Sequence, residues 1–342
     1  MKILIMLTKR HNAILRVEET LLHMGYEVEK IYVDHFQSSH SYVLKKLDEF
    51  GFSKFREQYE RSIYDRACHI INNMDIKRVL CINFIFPEKY RSEYKKRLQK
   101  NKCTNTLWLV DPINRNDDIY INMLFQYFDK ICSYEQADVD YLHDKDGSSV
   151  VYVPVGYNMA YIKDKAEAKT TDIVFVGSPY KDRMELLDKL AEEAEKRNWT
   201  LAVYGPFYGE GRYFWKKHKS RIKYPYLFKY VQDGVFSSEQ IADIYAKAKI
   251  CLNIHLANAK GMNPRSYEIM ATGSFQLMDK RDYYGDCVPN RDFAIYNDYD
   301  DMVRQIEKYL TNEKIREQIA NSGKQSIKNL SMEVCMKKIL DL

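Results

Sequence analysis

The fold is decided first by one stretch, DIVFVGSPYKDRMELLDKLAEEAEKRN, at residues 172–198. Residues 172–176 predict a buried strand, because β-branched and aromatic side chains pack well on a pleated surface. Gly177 and Ser178 then predict a turn, and apolar side chains at helical spacing predict a helix over 182–198. A strand that passes through a glycine turn into a helix is part of a βαβ unit, which indicates a parallel sheet.

The same alternation of strand and helix occurs on both sides of this stretch. Further strands are predicted at 2–7, 28–33, 79–83, 106–110, 130–133, 150–154, 200–204, 250–254 and 274–278. A polar run at 158–170 predicts a linker between two such patterns. We therefore predict an α/β protein with two Rossmann-like domains facing a cleft, because open parallel sheets bind ligands at the carboxyl ends of their strands. The predicted segments are a first domain (1–157), the linker, a second domain (171–325) and a C-terminal helix (326–342).

Composition excludes several classes of protein. Hydrophobic residues make up 45% and charged residues 30% of the 342, which is typical of a globular chain. Seven cysteines without a Cys-x-x-Cys pair argue against a zinc site or a disulfide framework, so a cytoplasmic protein is expected. No apolar run approaches the roughly 18 residues of a membrane span, and the start is interpreted as a buried strand rather than a signal peptide.

The net charge and the loop after the first strand indicate which ligands and which classes of protein are expected. The net charge of +5 leaves two interpretations open: an ordinary solvated surface, or loose attraction to an anionic membrane or to phosphate-bearing ligands. No nucleic-acid-binding motif accompanies the basic residues, so nucleic acid is not an expected partner. The loop after the first strand, TKRHN at 8–12, lacks the Gly-x-Gly-x-x-Gly of dinucleotide oxidoreductases, which disfavours that class.

A second stretch carries the chemistry: ICLNIH at 250–255, followed by GMNPRSYEIMATG at 261–273. Asn263 is a good N-cap and Pro264 suits the first helical position, so a helix is predicted to begin where a glycine-bearing loop ends. Its free N–H groups and dipole would suit a diphosphate, and Arg265 would add contacts to phosphate oxygens. Glu268 would accept hydrogen bonds from vicinal hydroxyls. The alternative is a plain surface helix with a solvated Glu268.

These motifs resemble a known family. Together they are similar to the second domain of CgeB-like glycosyltransferases, relatives of the large retaining family whose type B (GT-B) architecture has two Rossmann domains. The resemblance is good over 172–280 and weak before 105. Its residues are Asn253, Ile254, His255, Gly261, Asn263, Arg265, Glu268, Ala271, Gly273 and Asp279, with Phe175, Val176, Gly177, Ser178, Arg183, Tyr204 and Gly205, and in the first half Trp108–Asp111, Phe128–Lys130, Val153 and Pro154.

The resemblance implies roles for several of these residues. Glu268 matches a glutamate that holds the ribose hydroxyls of the nucleotide, whereas many relatives carry a second, sugar-binding glutamate where this chain has Lys260. Gly177 and Ser178 would let the backbone approach the diphosphate, with Lys181 or Arg183 as the phosphate cation. Val235 lies where relatives read the base. The resemblance also implies that the C-terminal helix packs back on the first domain, with Val334, Ile339 and Leu340 buried.

In the first half, Asp111 follows a predicted strand, where a catalytic or sugar-binding carboxylate would face the cleft. An Asp-Pro turn is the alternative interpretation. His11 and Asn12 follow the first strand, and His11 is either a catalytic residue or a solvated loop histidine. His255 either lies beside the phosphates or is a core residue.

Two Asp-x-Asp sequences, 138–140 and 298–300, match the metal-binding motif of a different glycosyltransferase architecture. The first falls in a predicted helix, where side chains two residues apart point about 200° apart and cannot chelate one ion. The second lies at a helix start. We therefore predict no metal.

The sequence hypothesis is a metal-independent, retaining hexosyltransferase without a separate cofactor. Its donor would be a UDP- or GDP-linked sugar, and its acceptor a glycan, lipid-linked or protein hydroxyl bound by the first domain, in bacterial surface glycan, glycolipid or glycoprotein synthesis. The cytoplasm, including the inner face of the membrane, is the expected location. Two alternatives stay open: a catalytically silent sugar-nucleotide- or glycan-binding partner of a transferase complex, favoured by Lys260, and a sugar-nucleotide 2-epimerase.

Overall fold

A computed structural model of the protein describes residues 1–7, 12–33, 54–113, 117–146, 150–163, 167–207, 214–257 and 259–341. The chain divides into two compact units, Met1–Val155 with Met332–Leu342, and Gly156–Ser331. The predicted α/β class is confirmed, since each unit has a parallel sheet with flanking helices. Within the described residues, no helix is both long and apolar enough to cross a membrane.

The first unit contains a six-stranded parallel sheet in its described part, with the strand order β2-β1-β3-β4-β5-β6. The strands β1 to β6 are Lys2–Leu7, Glu27–Tyr32, Ile76–Ile82, Thr104–Leu109, Lys130–Ser133 and Val150–Tyr152. The helices α1 to α5 are Asn12–His23, Lys54–Asn73, Glu88–Lys100, Asp118–Tyr127 and Gln136–Asp146. The order reverses direction between β1 and β3, as in doubly wound folds.

Burial on both faces explains why β1 is continuously apolar. Ile3, Ile5 and Leu7 pack in the cluster that contains Trp108. Residues 4 and 6 point to the opposite face and pack in a second cluster, with helix residues of α2 to α5. A central parallel strand covered on both faces has no solvated side on which polar residues would alternate.

The second unit has the order β9-β8-β7-β10-β11-β12, which corresponds to the 3-2-1-4-5-6 order of the Rossmann fold. The strands β7 to β12 are Thr171–Val176, Leu201–Gly205, Val231–Asp233, Ala248–Asn253, Gln276–Asp279 and Ala294–Tyr296. The helices α6 to α11 are Lys181–Arg197, Phe214–Lys223, Ser238–Ala246, Pro264–Ala271, Tyr299–Leu310 and Glu313–Ser326, with 3-10 turns at Met159–Tyr161 and Leu227–Lys229. All pairs in this sheet are parallel, and β7 lies between β10 and β8.

The boundary between the units falls after Val155 rather than after residue 157. The segment expected as a linker begins with the turn Met159–Tyr161, and Tyr161 is buried in the second unit with Tyr157. An apolar packing position therefore lies inside a segment whose overall composition is polar.

The last helix, α12 (Met332–Leu340), packs in the first unit against α1 and β4. Ile339 and Leu340 are buried as expected, but the prediction that Val334 is buried is wrong, because 42% of its side chain is exposed. Met336 and Cys335 are buried instead. Val334 lies about 200° around the helix from Met336, since consecutive residues are about 100° apart.

Candidate functional site

The carboxyl ends of β7, β10, β11 and β12 bring the predicted site residues of the second unit to one edge of its sheet. β7 and β10 are neighbours at the point where the strand order reverses. Ligands of open α/β sheets bind outside the strand ends at such a point.

Gly177 and Gly205 support each other through their backbones. The Gly177 N–H donates to the Tyr204 carbonyl at 2.9 Å. Gly205 has a φ of +151°, and a Cβ there would lie 2.1 Å from the Gly177 carbonyl oxygen. A Cβ on Gly177 would lie 2.8 Å from the Phe175 ring. Gly177, which is predicted to approach a diphosphate, and Gly205, which belongs to the family resemblance, therefore also hold the ends of β7 and β8 together, a packing role that is not predicted from the sequence.

Arg183 holds a positive charge at this edge. Its guanidinium lies 5.1 Å from the ring centre of Tyr180 and 5.9 Å from that of Phe175. Nη1 reaches the Ser178 carbonyl at 3.5 Å, while Nε is buried and has no hydrogen-bond partner among the described residues. Burial lowers the pKa of Arg183, but a guanidinium remains charged at neutral pH. The aromatic rings thus hold a cation with donor capacity left for an anion.

His255 and Asp279 form a buried pair. The His255 backbone N–H donates to Asp279 Oδ1 at 3.0 Å, and His255 Nδ1 lies 2.7 Å from the same oxygen. Arg281 forms an ion pair with the other carboxylate oxygen. Burial acts to raise the pKa of Asp279, but the hydrogen bonds from His255 and the charge of Arg281 outweigh it and lower the pKa. Asp279 ends a motif of the family resemblance, but its pairing with His255 is not predicted from the sequence.

Two further buried polar atoms are at this edge. His255 is 5% exposed and Tyr296 is 3% exposed. Within the described residues, neither His255 Nε2 nor the Tyr296 hydroxyl has a hydrogen-bond partner. Tyr296 is the register partner of Asp279 on the adjacent strand β12, and burial raises the pKa of Tyr296. The signal for Tyr296 in the sequence is weak, because a tyrosine in an apolar strand usually indicates core packing.

Asn263 caps α9 as predicted, and a network of amides holds it. Its Oδ1 accepts from the Ser266 N–H at 3.1 Å. Asn253, the last residue of β10, donates to Asn263 Oδ1 at 3.1 Å and accepts from Asn263 Nδ2 at 2.9 Å. Asn253 also donates to Ser266 Oγ at 2.9 Å and to Gln276 Oε1 at 3.2 Å. The helix start is therefore fixed to two strands by side chains as well as by its cap.

Glu268 is only 6% exposed, so the alternative interpretation of a solvated surface glutamate is wrong. Arg265 Nη1 donates to Glu268 Oε2 within the same helix. Tyr161 is the third member of this group, since burial first and then the Glu268 charge raise its pKa. Arg265 was expected to contact phosphate. It is paired with Glu268 here, and the phosphate contact stays a prediction.

The remaining candidates of the second unit lie at the periphery of this edge. Val235 is 73% exposed and follows β9, next to Phe236, whose ring meets that of Tyr204 edge-on at 5.4 Å. Lys260 Nζ donates to Asp282 Oδ2 at 2.9 Å, so the position where relatives carry a glutamate is a cation paired with a carboxylate.

In the first unit, Asp111 is exposed just beyond β4 and accepts from Asn83 Nδ2 at 2.7 Å. Asn83 also accepts from the Val110 N–H at 2.8 Å and has a φ of +49°. Asn83 was not predicted, although a polar residue directly after a strand is a usable signal. His11 lies outside the described residues.

Neither Asp-x-Asp sequence is arranged as a metal site. Asp138 is buried and accepts from the Ile113 N–H at 3.0 Å, whereas Asp140 is exposed on the same helix. Asp298 caps α10 by accepting from the Asp301 N–H at 2.8 Å. In the part of the chain that the structure describes, no group of three or more His, Cys, Asp or Glu side chains could hold a metal ion.

Comparison with known proteins agrees with this fold. Residues 183–341 match the model of a family described as glycosyl transferase-like. A glycosyltransferase from Rickettsia africae is similar in structure at 13% identity, with a TM-score of 0.68 and 98% of this chain and 96% of that chain covered. HepE from Anabaena, solved with UDP-glucose, gives a TM-score of 0.69 at 12% identity, covering 99% of this chain and 98% of its own.

A third structure is more distant. The pneumococcal O-GlcNAc transferase GtfA, solved with UDP and GlcNAc, gives a TM-score of 0.52 at 13% identity over 80% of this chain and 58% of its own. No curated protein sequence matches the chain. The fold is therefore that of the GT-B proteins, and the family match over residues 183–341 supports a glycosyltransferase. Whether the chain is CgeB-like within that class stays a prediction.

Proposed function

We propose that the chain is a glycosyltransferase that moves a hexosyl unit from a UDP-linked sugar to an acceptor hydroxyl. The observation that carries this proposal is a set of three buried polar atoms of the second unit that have no hydrogen-bond partner among the described residues: Arg183 Nε, His255 Nε2 and the Tyr296 hydroxyl. A buried polar group without a partner costs about 1–3 kcal/mol. A sheet edge that collects three of them is better explained by a polar ligand than by core packing.

The charge at this edge favours an anionic ligand. Asp279 is neutralised by Arg281, which leaves the positive charge of Arg183 unpaired by any carboxylate of the described chain. The start of α9 adds its capped N-terminus, where backbone N–H groups and the helix dipole favour anions. A diphosphate fits both features.

Glu268 supplies the second half of nucleotide recognition. A carboxylate can accept hydrogen bonds at about four lone-pair positions. The hydrogen bond from Arg265 to Glu268 Oε2 uses one of them. The remaining positions would accept the two ribose hydroxyls, and Arg265 would keep the carboxylate ionised and oriented. HepE was solved with UDP-glucose and GtfA with UDP, which supports uridine over guanosine as the base, with Val235 and Phe236 beside it.

The proposed chemistry is stabilisation of the leaving diphosphate. Charge develops on that group as the glycosidic bond breaks, so fixed cations and helix-start amides would stabilise the transition state more than the ground state. These groups would replace a metal ion. Retention of the anomeric configuration follows from the family resemblance, and a front-face route fits the absence of a predicted nucleophile. Asp111 in the first unit would bind the acceptor, a glycan, lipid-linked or protein hydroxyl at the cytoplasmic side of the membrane.

Thermal unfolding with and without nucleotides tests the donor site. UDP and UDP-glucose should raise the Tm in the presence of EDTA, because a ligand that binds only the folded state stabilises it. GDP should have a smaller effect. A strict requirement for manganese, or no shift with any nucleoside diphosphate or its sugar, would contradict the proposed site.

A second function is favoured by Lys260, namely a catalytically silent partner in a transferase complex. This residue replaces the sugar-binding glutamate of many relatives and is paired with Asp282. Release of glucose from UDP-glucose without acceptor separates the two functions. A silent partner would bind UDP-glucose without releasing glucose, and restoring the carboxylate by Lys260→Glu would not create hydrolysis in a chain that lacks the rest of the machinery.

A further inference from the structure

The buried imidazole of His255 has one nitrogen committed and one nitrogen without a partner. Nδ1 is 2.7 Å from Asp279 Oδ1, and that oxygen also accepts the His255 backbone N–H. Because the carboxylate is an acceptor, Nδ1 must carry the proton that joins them. In the neutral ring Nε2 is then a bare acceptor, and it has no partner among the described residues.

Three charged groups act on this ring, Asp279, Arg281 and Arg183, and a tyrosine lies on the strand next to Asp279. Asp279 ends β11, Arg281 follows it, Arg183 projects from α6, and Tyr296 on β12 is the register partner of Asp279. Burial lowers the pKa of His255, the Asp279 carboxylate acts to raise it, and both arginines act to lower it. The free site therefore holds a neutral imidazole beside an excess positive charge.

The guanidinium of Arg281 already has partners within the chain. Besides its ion pair with Asp279, its Nη1 donates to the Ala259 carbonyl at 2.7 Å. Asp279 and Arg281 thus neutralise each other, and Arg183 is the cation still open to a ligand. A diphosphate that neutralises Arg183 would remove one cause that keeps His255 uncharged and would add negative charge beside the ring. Both changes favour the imidazolium.

We propose that His255 takes up a proton when the diphosphate of the nucleotide sugar binds, so that Nε2 changes from an acceptor into a donor to a phosphate oxygen. The inference rests on the proposed function and adds a titratable ligand to that site. Asp279 is the positioning residue, because it fixes which nitrogen is protonated first and stabilises the imidazolium once it forms. The binding free energy of the nucleotide sugar therefore depends on pH, because binding is coupled to uptake of a proton.

UDP-glucose is the probe that isolates this proton, because its diphosphate has both ends esterified and does not titrate near neutral pH. Calorimetric titration of the wild-type protein at pH 7 in two buffers of different ionisation enthalpy gives the number of protons bound. We expect uptake of up to about one proton per UDP-glucose, and affinity that falls by at most about tenfold per pH unit as pH rises between the pKa values of the free and bound states.

Two variants separate the functions of the two nitrogens. His255→Asn can keep the hydrogen bond to Asp279 but has no group at Nε2, so it should lose affinity and proton uptake. His255→Gln places a permanent N–H donor near the Nε2 position and should retain more affinity than Asn while showing no proton uptake. His69→Asn, at an exposed position of the first unit, is the control and should behave as wild type.

The possible failures are distinguishable. Binding of UDP-glucose by wild type without proton uptake overturns the inference and leaves the proposed function standing. Loss of affinity in His255→Asn without proton uptake in wild type would mean that Nε2 accepts a hydrogen bond from a sugar hydroxyl, which also overturns the inference. If the wild-type protein binds no UDP-glucose at any pH, the proposed function fails and the inference fails with it.

Discussion

The carbonyl oxygen of Gly177 occupies the space in which Gly205 would carry a side chain, 2.1 Å from an ideal Cβ position. Two consecutive strand ends of the Rossmann sheet therefore touch through their backbones. We expect Gly205→Ala to cost at least about 2 kcal/mol of unfolding free energy, because steric overlap and a positive φ each contribute about 1–3 kcal/mol. Urea denaturation measures this cost.

A matched control separates sterics from backbone strain. Gly25 also has a positive φ, +84°, but nothing lies within 4 Å of its Cβ position. Gly25→Ala should therefore cost less than Gly205→Ala. Equal costs would mean that strain alone explains the requirement for glycine at 205.

The cap of α9 offers a second test. Asn263→Ala removes an N-cap, worth about 1 kcal/mol, and also leaves the buried amide of Asn253 with fewer partners. We expect a total loss of about 2–3 kcal/mol. Ser237→Ala removes the capping box of α8 without such a network and should cost only about 1 kcal/mol. A similar cost at both sites would show that the Asn253–Asn263 pair adds little.

Glu268 is the most informative residue for nucleotide binding. A hydrogen bond to a charged group contributes about 1.5–3 kcal/mol, so Glu268→Ala should weaken UDP binding by about 10- to 150-fold. A 2′,3′-dideoxy nucleotide should bind wild type and variant almost equally poorly, which ties the loss to the ribose. Lys260→Ala should leave UDP affinity nearly unchanged. Undiminished UDP affinity in Glu268→Ala would refute the ribose assignment.

Arg265 has two possible roles that a double-mutant cycle separates. If it only orients Glu268, then Arg265→Gln in a Glu268→Ala background should cause no further loss of UDP affinity. If it also contacts phosphate, the losses should add. Calorimetry with UDP measures all four proteins under one set of conditions.

Stability should depend on pH through His255. Burial lowers the pKa of this residue in the folded state, so between that value and about 6.5, the pKa of an unfolded histidine, the unfolded chain binds more protons. Stability is therefore lost as pH falls below about 6.5, by at most about 1.4 kcal/mol per pH unit. His255→Asn should reduce the stability difference between pH 7 and pH 5.5, whereas His69→Asn should not change it. An unchanged difference in His255→Asn would mean that the ring titrates normally.

The sequence allowed the fold class to be predicted because its signals are local. Continuous apolar runs such as the one in β1, and a capping residue such as Asn263, act over a few positions. The site was predicted less completely. Glu268 was a candidate, but its burial depends on Tyr161 and other residues distant in sequence. The pairing of His255 with Asp279 joins positions 24 apart in the chain, and neither periodicity nor propensity specifies such a contact.

For the C-terminal helix α12, too, the sequence predicted less than the structure shows, because it did not determine which side of the helix is buried. Of the three residues that the resemblance predicts to be buried, Ile339 and Leu340 are buried, but Val334 is on the exposed side. Apolar character alone did not fix the rotational phase, because Val334, Cys335 and Met336 are adjacent and only part of the helix faces β4 and α1.

The helix α12 belongs to the first unit, whereas Gly156–Ser331 forms the second. During synthesis the two units therefore receive their last residues in a fixed order, the second unit before the first. The second unit is contiguous in sequence, so all of its residues have been added to the nascent chain before Met332. The first unit, although it is made first, lacks part of its apolar cover until Met336, Ile339 and Leu340 emerge. During synthesis the earlier half is therefore the one that finishes folding last, and a nascent chain halted near residue 331 would expose the surface of β4 and α1 to chaperones.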